Sequence, residues 1–252
     1  MERTALPGRL TWRLGEVVET RTETARAKSL TLSMPAWPGH QAGQHVDVRL
    51  TAEDGYQAER SYSIASPPED APKVTITVER LDNGEVSPYL VDELKPGDRL
   101  ELRGPIGGYF VWEAVMGGPL FLVGGGSGIV PLMAMIRHRR RVGSAVPTRL
   151  LYSARSPDEV IYRAELDELT HGDAMLEAIY TFTRRQPPGW TGYHRRIDTD
   201  LLAEVAWPAT DYARAYICGP TQFVETAATG LVALGYPPAR VKTERFGPTG
   251  GG

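Results

Sequence analysis

An apolar run that ends in a glycine-rich turn restricts the fold of this chain more than any other feature. Leu120-Phe-Leu-Val123 is continuously apolar, Gly124-Gly-Gly-Ser-Gly128 follows it, and a helical pattern extends from Val130 to Arg141. A buried strand, a tight turn and a helix in this order are typical of open α/β sheets, where bare backbone and a helix N-terminus bind an anion. The turn is not a G-x-G-x-x-G fingerprint, because the third glycine is absent, and not a P-loop, because no Lys-Ser/Thr pair follows. A turn without a ligand is the alternative, although three consecutive glycines are entropically costly.

Apolar strands and helices continue to alternate downstream of this turn. Further strands are predicted at Arg149–Tyr152, Leu176–Phe182 and Ala213–Cys218, with a helix over Thr221–Leu234. Another helix is predicted from Ser156, which would be its N-cap in a capping box. This alternation predicts a parallel sheet that is covered on both faces.

The first part of the chain has a different rhythm, with short strand patterns that glycine and proline divide. The predicted strands are Val17–Thr22, Ala27–Met34, His45–Leu50, Arg60–Ile64, Lys73–Glu79 and Arg99–Leu102. Together with one helix over Ser87–Leu94, they predict a small antiparallel barrel. We therefore expect two domains, residues 1–115 and residues 116–252, and the length of 252 residues suits two domains of ordinary size.

Composition excludes several classes of function. The net charge of −3 provides no basic field for a nucleic-acid backbone. The single cysteine, Cys218, excludes an internal disulfide and a four-cysteine iron–sulfur or zinc site in these residues, and the five histidines show no metal-ligand spacing. No apolar run approaches the roughly 20 residues of a membrane span, and the polar start shows no signal peptide, so we expect a soluble cytoplasmic protein without a metal.

Three motifs that follow one another along the chain resemble those of the ferredoxin–NADP reductase superfamily. Arg60-Ser-Tyr-Ser63 resembles its R-x-Y-[ST] flavin motif, Gly124-Gly-Gly-Ser-Gly-Ile-Val-Pro131 its pyridine-nucleotide motif, and Tyr216-Ile-Cys-Gly-Pro220 its C-G-P nicotinamide motif. The resemblance implies a six-stranded antiparallel Greek-key barrel that binds flavin, followed by a parallel-sheet α/β domain that binds the nucleotide. It implies FAD as cofactor, with FMN as the alternative, and NADPH as substrate, with NADH as the alternative.

The resemblance also implies roles for single residues. Arg60 would pair with a flavin phosphate, Tyr62 would pack on the isoalloxazine or ribityl chain, and Ser63 would hydrogen-bond near flavin N5. Gly84-Glu-Val-Ser87 resembles the second phosphate segment, with backbone N–H groups beneath the diphosphate. The implied cofactor-binding residues in the barrel are Arg60, Ser61, Tyr62, Ser63, Val78, Arg80, Gly84, Val86 and Ser87. Those in the second domain are Gly125, Gly126, Ser127, Gly128, Ser153, Arg155, Arg184, Arg185, Cys218, Gly219, Pro220 and Phe246.

Ser63, Cys218 and Glu244 are the expected catalytic residues. Ser63 and Cys218 would border, from opposite domains, a site where nicotinamide C4 faces flavin N5 at about 3–3.5 Å. Cys218 would shape this site and not act as a nucleophile, since no histidine base lies near it in sequence. In bacterial members an acidic–aromatic end approaches the flavin, which implies the same for Glu244 and Phe246. The terminal aromatic residue of plant-type members is missing, because the chain continues to Gly252.

The choice between NADPH and NADH should depend on the end of the second strand of the α/β domain. Ser153-Ala-Arg155-Ser156 contains no carboxylate, and Arg184-Arg185 follow the next strand. Arginine at this place favours a 2′-phosphate, whereas an acidic residue favours a free ribose hydroxyl. A clamp of Ser153, Arg155 and one of the paired arginines therefore favours NADPH, with solvated loop arginines as the alternative.

These expectations predict an FAD-dependent NAD(P)H oxidoreductase. Hydride would pass from NADPH to FAD N5, and single electrons would leave to a separate acceptor such as a ferredoxin, a flavodoxin or an oxygenase component. The acceptor must be separate because a plant-type [2Fe–2S] cluster needs four cysteines. A reductase of free flavin, quinone or another small acceptor is the alternative, and a non-catalytic flavin- or nucleotide-binding subunit is less favoured.

Overall fold

The computed structural model describes residues 10–210 and 212–246, which form an antiparallel sheet and then a parallel sheet. The strands of the first sheet are β1 (Trp12–Thr24), β2 (Ala27–Ser33), β3 (His45–Thr51), β4 (Gln57–Ser63), β5 (Lys73–Glu79) and β6 (Arg99–Ile106). They lie in the order β4-β3-β6-β1-β2-β5. An antiparallel bridge between Ile64 and Ile76 joins the continuation of β4 to β5, so the two outer strands meet and the sheet closes. The six-stranded Greek-key barrel is thereby confirmed.

Alternation of apolar and polar residues explains the core of the barrel. Val74, Ile76 and Val78 of β5 are completely buried, and they pack among the inward residues of the other strands. The predicted start of β1 is five residues too late, because residues 12–16 also pair with β6. These residues lack the apolar and polar alternation that predicts a strand, because the apolar Leu14 is exposed and Gly15 is buried. A Cβ on Gly15 would collide with the Met34 side chain.

The helix predicted over Ser87–Leu94 is confirmed, because residues 87–93 are helical, and its part Tyr89–Glu93 is a wide turn of π type. Leu90 and Val91 in this turn are buried against the barrel core. A short ³₁₀ turn, Ala114–Met116, then carries the chain from the barrel to the second sheet. The domain boundary predicted between residues 115 and 116 falls in this turn and stays a prediction.

The second sheet is entirely parallel and has helices on both faces. Its elements are β7 (Leu120–Gly125), α1 (Ile129–Arg141), β8 (Thr148–Ala154), α2 (Arg163–Gly172), β9 (Leu176–Phe182), α3 (Thr199–Val205), β10 (Arg214–Pro220), α4 (Thr221–Ala233) and β11 (Val241–Phe246). The strand order is β11-β10-β7-β8-β9. Helices α1 and α2 cover one face, while α3 and α4 cover the other. The order reverses between β7 and β10, and the crevice at such a reversal is where open α/β sheets bind ligands.

The helix predicted from Ser156 begins later, at Arg163. Residues Pro157–Glu159 form one ³₁₀ turn, and the buried Tyr162 then adopts a left-handed conformation with φ of 62° before α2 starts. The seven-residue helix α3 was not predicted, although Asp198 caps it by accepting a hydrogen bond from the Leu201 N–H at 2.7 Å. No helix within residues 10–210 and 212–246 combines the length and the apolar character of a bilayer span.

Candidate functional site

The glycine turn lies at the strand reversal and packs its inner side against β10. A Cβ on Gly128 would overlap the backbone carbonyl of Cys218, so no other residue fits there without movement. On the outer side, Gly126 has a φ of 57°, and a Cβ there would meet nothing within 4 Å. The turn therefore exposes bare backbone at the N-terminus of α1, which is the geometry that accepts a phosphate.

Phe223 forms one wall of this crevice, although it was not among the predicted site residues. Ideal Cβ atoms on Gly125 and Gly219 would lie 3.1 and 2.7 Å from its ring, so the ring covers both glycines. The fold thus brings together most of the residues expected to bind the nucleotide, namely Gly125 to Gly128, Cys218 and Gly219. Pro220 is exposed at the start of α4.

Within the barrel, β4 divides the Arg60–Ser63 segment between two faces. The register with β3 places His45 opposite Ser63 and Asp47 opposite Ser61, and successive side chains of a strand point to opposite faces. Ser61 donates a hydrogen bond to Asp47 at 2.7 Å. Ser61 and Ser63 therefore share one face, whereas Arg60 and Tyr62 share the other.

The two segments expected at the flavin phosphates meet at Arg60. Its Nη2 lies 2.8 Å from Oε2 of Glu85, in the segment Gly84–Ser87, and both side chains are about half exposed at 52%. Gly84 is closely packed, since a Cβ there would lie 2.8 Å from the Ser87 Oγ. An exposed guanidinium beside a tight loop fits a phosphate group. Glu85 was not expected to have a role, and its charge opposes a phosphate at the same place.

Other residues expected beside Arg60 have different surroundings. Val78 and Val86 are completely buried in the barrel core, so neither presents its side chain to a ligand. Ser87 is also buried, and its hydroxyl accepts a hydrogen bond from the Leu81 N–H at 3.0 Å. Arg80 forms ion pairs with Asp82 and Asp92. Val78, Val86 and Ser87 thus keep their side chains inside the barrel, and the role expected of the backbone N–H groups of Val86 and Ser87 stays a prediction.

The three expected catalytic residues converge at the junction of the two domains, together with His45. Its Nδ1 lies 3.8 Å from Oε1 of Glu244, and Ser63 is its partner in register. Cys218 lies opposite Glu244 on the neighbouring strands β10 and β11. His45 had no expected role, and only the register of β3 with β4 could have placed it beside Ser63. Phe246 lies farther along β11, opposite Pro220, and is 36% exposed.

Burial governs the electrostatics of this junction. It raises the pKa of Glu244 to about 7, and Oε2 of that carboxyl is buried without a hydrogen-bond partner among the described residues. Burial, assisted by Glu244, raises the pKa of the Cys218 thiol far above its ordinary value. Burial lowers the pKa of His45, and Asp47 partly opposes this effect. Near neutral pH the junction therefore holds a thiol, a neutral imidazole and a carboxyl that can gain or lose a proton.

The loops that carry the arginines expected to form a 2′-phosphate clamp lie side by side, and carboxylates accompany them. The backbone N–H groups of Arg184 and Arg185 both donate to the carbonyl of Arg155 at 3.0 Å. The Arg155 guanidinium lies 3.7 Å from Glu159, and Arg185 forms an ion pair with Asp158. Ser153 lies beside Gly125 in the register of β7 and β8. Residues 153–156 contain no carboxylate, but the next turn supplies Asp158 and Glu159 to the same arginines, so the choice of nucleotide stays a prediction.

No group of three His, Cys, Asp or Glu side chains with the geometry of a metal site occurs in the described part of the chain.

Two family models match consecutive parts of this sequence. The model of the oxidoreductase FAD-binding domain matches residues 15–111, and that of the oxidoreductase NAD-binding domain matches residues 122–229. Ferredoxin--NADP reductase B of Sorangium cellulosum is 34% identical over 212 residues, which are 82% of this chain and 85% of that protein. The glycine betaine monooxygenase reductase subunit of Pseudomonas aeruginosa is 33% identical over 209 residues, which are 82% of this chain. The matched region spans only 56% of that subunit.

Solved structures share the same two-sheet arrangement. The FAD/NAD-binding domain of a nitric oxide dioxygenase from Vibrio cholerae superimposes with a TM-score of 0.83 at 27% identity, covering 94% of this chain and 99% of that one. A ferredoxin NADP+ reductase from Neisseria gonorrhoeae, with bound FAD and NADP, has a TM-score of 0.79 at 20% identity, covering 93% and 98%. At that identity the second likeness concerns the fold alone.

Proposed function

Because the chain belongs to the ferredoxin–NADP reductase superfamily of FAD-binding and NAD-binding oxidoreductases, we propose that it is an FAD-dependent NAD(P)H reductase. One observation carries the proposal furthest. Next to the strand reversal, Glu244 of β11 is paired in register with Cys218 of β10 and lies 3.8 Å from His45 of the barrel, whose register partner is Ser63. A nucleotide held at the glycine turn would therefore reach the flavin segment.

Each cluster of residues has a separate task in this proposal. Arg60 and the Gly84 loop would hold the flavin phosphates, and the backbone of Gly126 and Ser127 would bind the nucleotide diphosphate. Bound flavin and nicotinamide together supply the hydride-transfer chemistry. The buried thiol of Cys218 would shape the nicotinamide end of the crevice without acting as a nucleophile, because its raised pKa keeps it protonated.

Glu244 would bind and release a proton beside the reacting groups. With a pKa of about 7, its carboxyl can hold a proton in the crevice and release it near neutral pH. His45, the register partner of Ser63, has its Nδ1 3.8 Å from Oε1 of Glu244, which is too far for a direct hydrogen bond, and burial keeps its imidazole neutral. It would therefore line the site beside the carboxyl without taking its proton.

We favour NADPH as the electron donor. Arg155 and the pair Arg184-Arg185 lie together at the carboxyl ends of β8 and β9, where the adenosine ribose of a nucleotide on the glycine turn would lie. NADH is the alternative, and Asp158 and Glu159 favour it because they neutralise two of these arginines.

The acceptor would be a separate redox protein such as a ferredoxin, a flavodoxin or an oxygenase component. Two similar proteins support this choice, a ferredoxin--NADP reductase and the reductase subunit of a glycine betaine monooxygenase. A reductase of free flavin or quinone is the second candidate. A cytoplasmic location, where NAD(P)H is regenerated, is part of the proposal.

Oxidation of NADPH by the FAD-loaded protein, with ferricyanide as an artificial acceptor, tests the activity. We expect absorbance of the reduced nucleotide to fall only when protein and FAD are both present. Mass analysis of the flavin released by heat distinguishes FAD from FMN. Failure of both NADPH and NADH to be oxidised by a protein that retains flavin would contradict the proposal.

A further inference from the structure

Arg137 joins the nucleotide side of the molecule to the flavin side. It lies on α1, whose first turn follows Gly128 directly, and its side chain is largely buried. Nε and Nη2 donate to the two carboxylate oxygens of Glu165 on α2, at 2.8 and 2.6 Å. Nη1 donates to the backbone carbonyl of Ala65 in the barrel, at 2.7 Å. One guanidinium therefore binds both domains, with a bidentate contact in one and a carbonyl contact in the other.

The barrel partner of Arg137 lies close to the flavin segment. Ala65 follows Ser63 by two residues, and its N–H donates to the Thr75 carbonyl at 2.7 Å, so this part of the chain is fixed within the barrel. Helix α1 also contacts the next residues of the same segment. His138 Nδ1 lies 2.7 Å from Glu69, and Arg141 Nη2 lies 2.8 Å from Asp70. One helix thus holds residues 65–70 at three places.

A second set of polar contacts supports this connection from the barrel strands. Glu165 also accepts a hydrogen bond from Arg21 of β1 at 3.2 Å. The Arg137 guanidinium lies over the ring of Tyr162, 4.7 Å from its centre, and the Tyr162 hydroxyl donates to Thr77 of β5 at 2.5 Å. Burial opposes ionisation of Glu165, but the hydrogen bonds from Arg137 and Arg21 outweigh it and lower the pKa of this carboxyl. The ion pair is therefore charged at neutral pH.

We propose that Arg137 is a positioning residue for hydride transfer. Its side chain fixes the glycine turn relative to the strand that carries Ser63. The inference rests on the proposed function and extends it to a residue that touches neither cofactor site. Arg137 lies on the helix that begins directly after Gly128, so a tilt or shift of α1 at Arg137 would also move the turn at its N-terminus. Displacement of reacting groups by about 1 Å can slow a reaction by about 100-fold.

Arg139 provides a matched control on the same helix. It is 2% exposed, donates from Nε to the Val146 carbonyl at 2.6 Å, and forms an ion pair with Asp173. Its partners thus have the same chemistry as those of Arg137, a carbonyl and a carboxylate, but both lie within the second domain. Arg139→Lys therefore loses comparable contacts without changing the junction between the domains.

Stopped-flow reduction of the FAD-loaded protein by NADPH separates positioning from stability. For Arg137→Lys we expect the limiting rate of flavin reduction at saturating NADPH to fall by about 10- to 100-fold. The half-saturating NADPH concentration should change little, because the glycine turn itself is intact. Arg139→Lys should retain the limiting rate of the wild type, even if its melting temperature falls as much.

An unchanged limiting rate in Arg137→Lys, or an equal loss in both variants, would overturn the inference. If Arg137→Lys does not retain flavin, Glu165→Gln is measured by the same criterion, since it removes the carboxylate partner and preserves the volume. The proposed function fails separately, because in that case the wild type itself would not be reduced by NADPH.

Discussion

Replacement of Glu244 by glutamine should make the protein more stable at alkaline pH and leave it nearly unchanged at acidic pH. Burial raises the pKa of Glu244 from 4.5 to about 7, and a tenfold change in proton affinity corresponds to about 1.4 kcal/mol. The ionised carboxylate therefore destabilises the folded state by on the order of 3 kcal/mol. Because the folded pKa lies above the unfolded one, the stabilising effect of the bound proton is complete below pH 4.5 and is lost as the pH rises towards about 7. Glutamine is neutral throughout and avoids this loss.

The assay is the melting temperature of the FAD-loaded wild type and Glu244→Gln, measured from about pH 5 to about pH 8.5. For a chain of this length about 1 kcal/mol changes the melting temperature by roughly 2–4 °C, so we expect Glu244→Gln to gain on the order of 6–12 °C at the alkaline end. The difference should shrink towards zero at the acidic end. Glu53→Gln, at an exposed loop position, is the control and should show no such trend. A difference that does not vary with pH, or a less stable Glu244→Gln at alkaline pH, would refute the reasoning.

Variants at the flavin loop, at the glycine turn and at the arginine cluster test the rest of the site. Arg60→Ala should lose flavin during gel filtration because the phosphate loses its guanidinium partner, and full flavin occupancy would count against that role. Gly128→Ala should destabilise the protein by about 1–3 kcal/mol, because its Cβ overlaps the strand beside it. Gly172→Ala, which has open space, is the control, and equal melting temperatures of the two variants would contradict the packing argument. Asp158→Asn combined with Glu159→Gln should raise kcat/KM for NADPH relative to NADH, and an unchanged ratio would show that these carboxylates do not affect nucleotide choice.

Local patterns were sufficient to predict most of the fold. The alternation in residues 73–79 gave both ends of β5, and the apolar run before Gly124 gave a central strand of the parallel sheet. Prediction failed where tertiary packing overrides the local pattern. Gly15 lies inside β1 because the Met34 side chain needs its space. Tyr162 interrupts the expected helix, since its backbone is left-handed where its side chain is buried.

The candidate site was predictable only where neighbours in sequence act together. The motifs predicted roles for Arg60, Ser63 and Cys218, and the resemblance of the last strand predicted one for Glu244. The proximity of Glu244 to His45, in contrast, depends on how the two domains pack. The same holds for Arg137, whose carbonyl partner lies 72 residues away in the chain. A backbone carbonyl has no sequence signature, so no inspection of side-chain types could have revealed that contact.

Anaerobic mixing of the FAD-loaded protein with NADPH tests the central claim most directly, namely that nucleotide and flavin sites meet at one crevice. We predict that the visible flavin absorbance bleaches in a single turnover with one equivalent of NADPH, and that NADPH deuterated at the transferred position of C4 slows this step. NADH at the same concentration should bleach the flavin more slowly. Bleaching by neither nucleotide, with flavin still bound, would contradict the account.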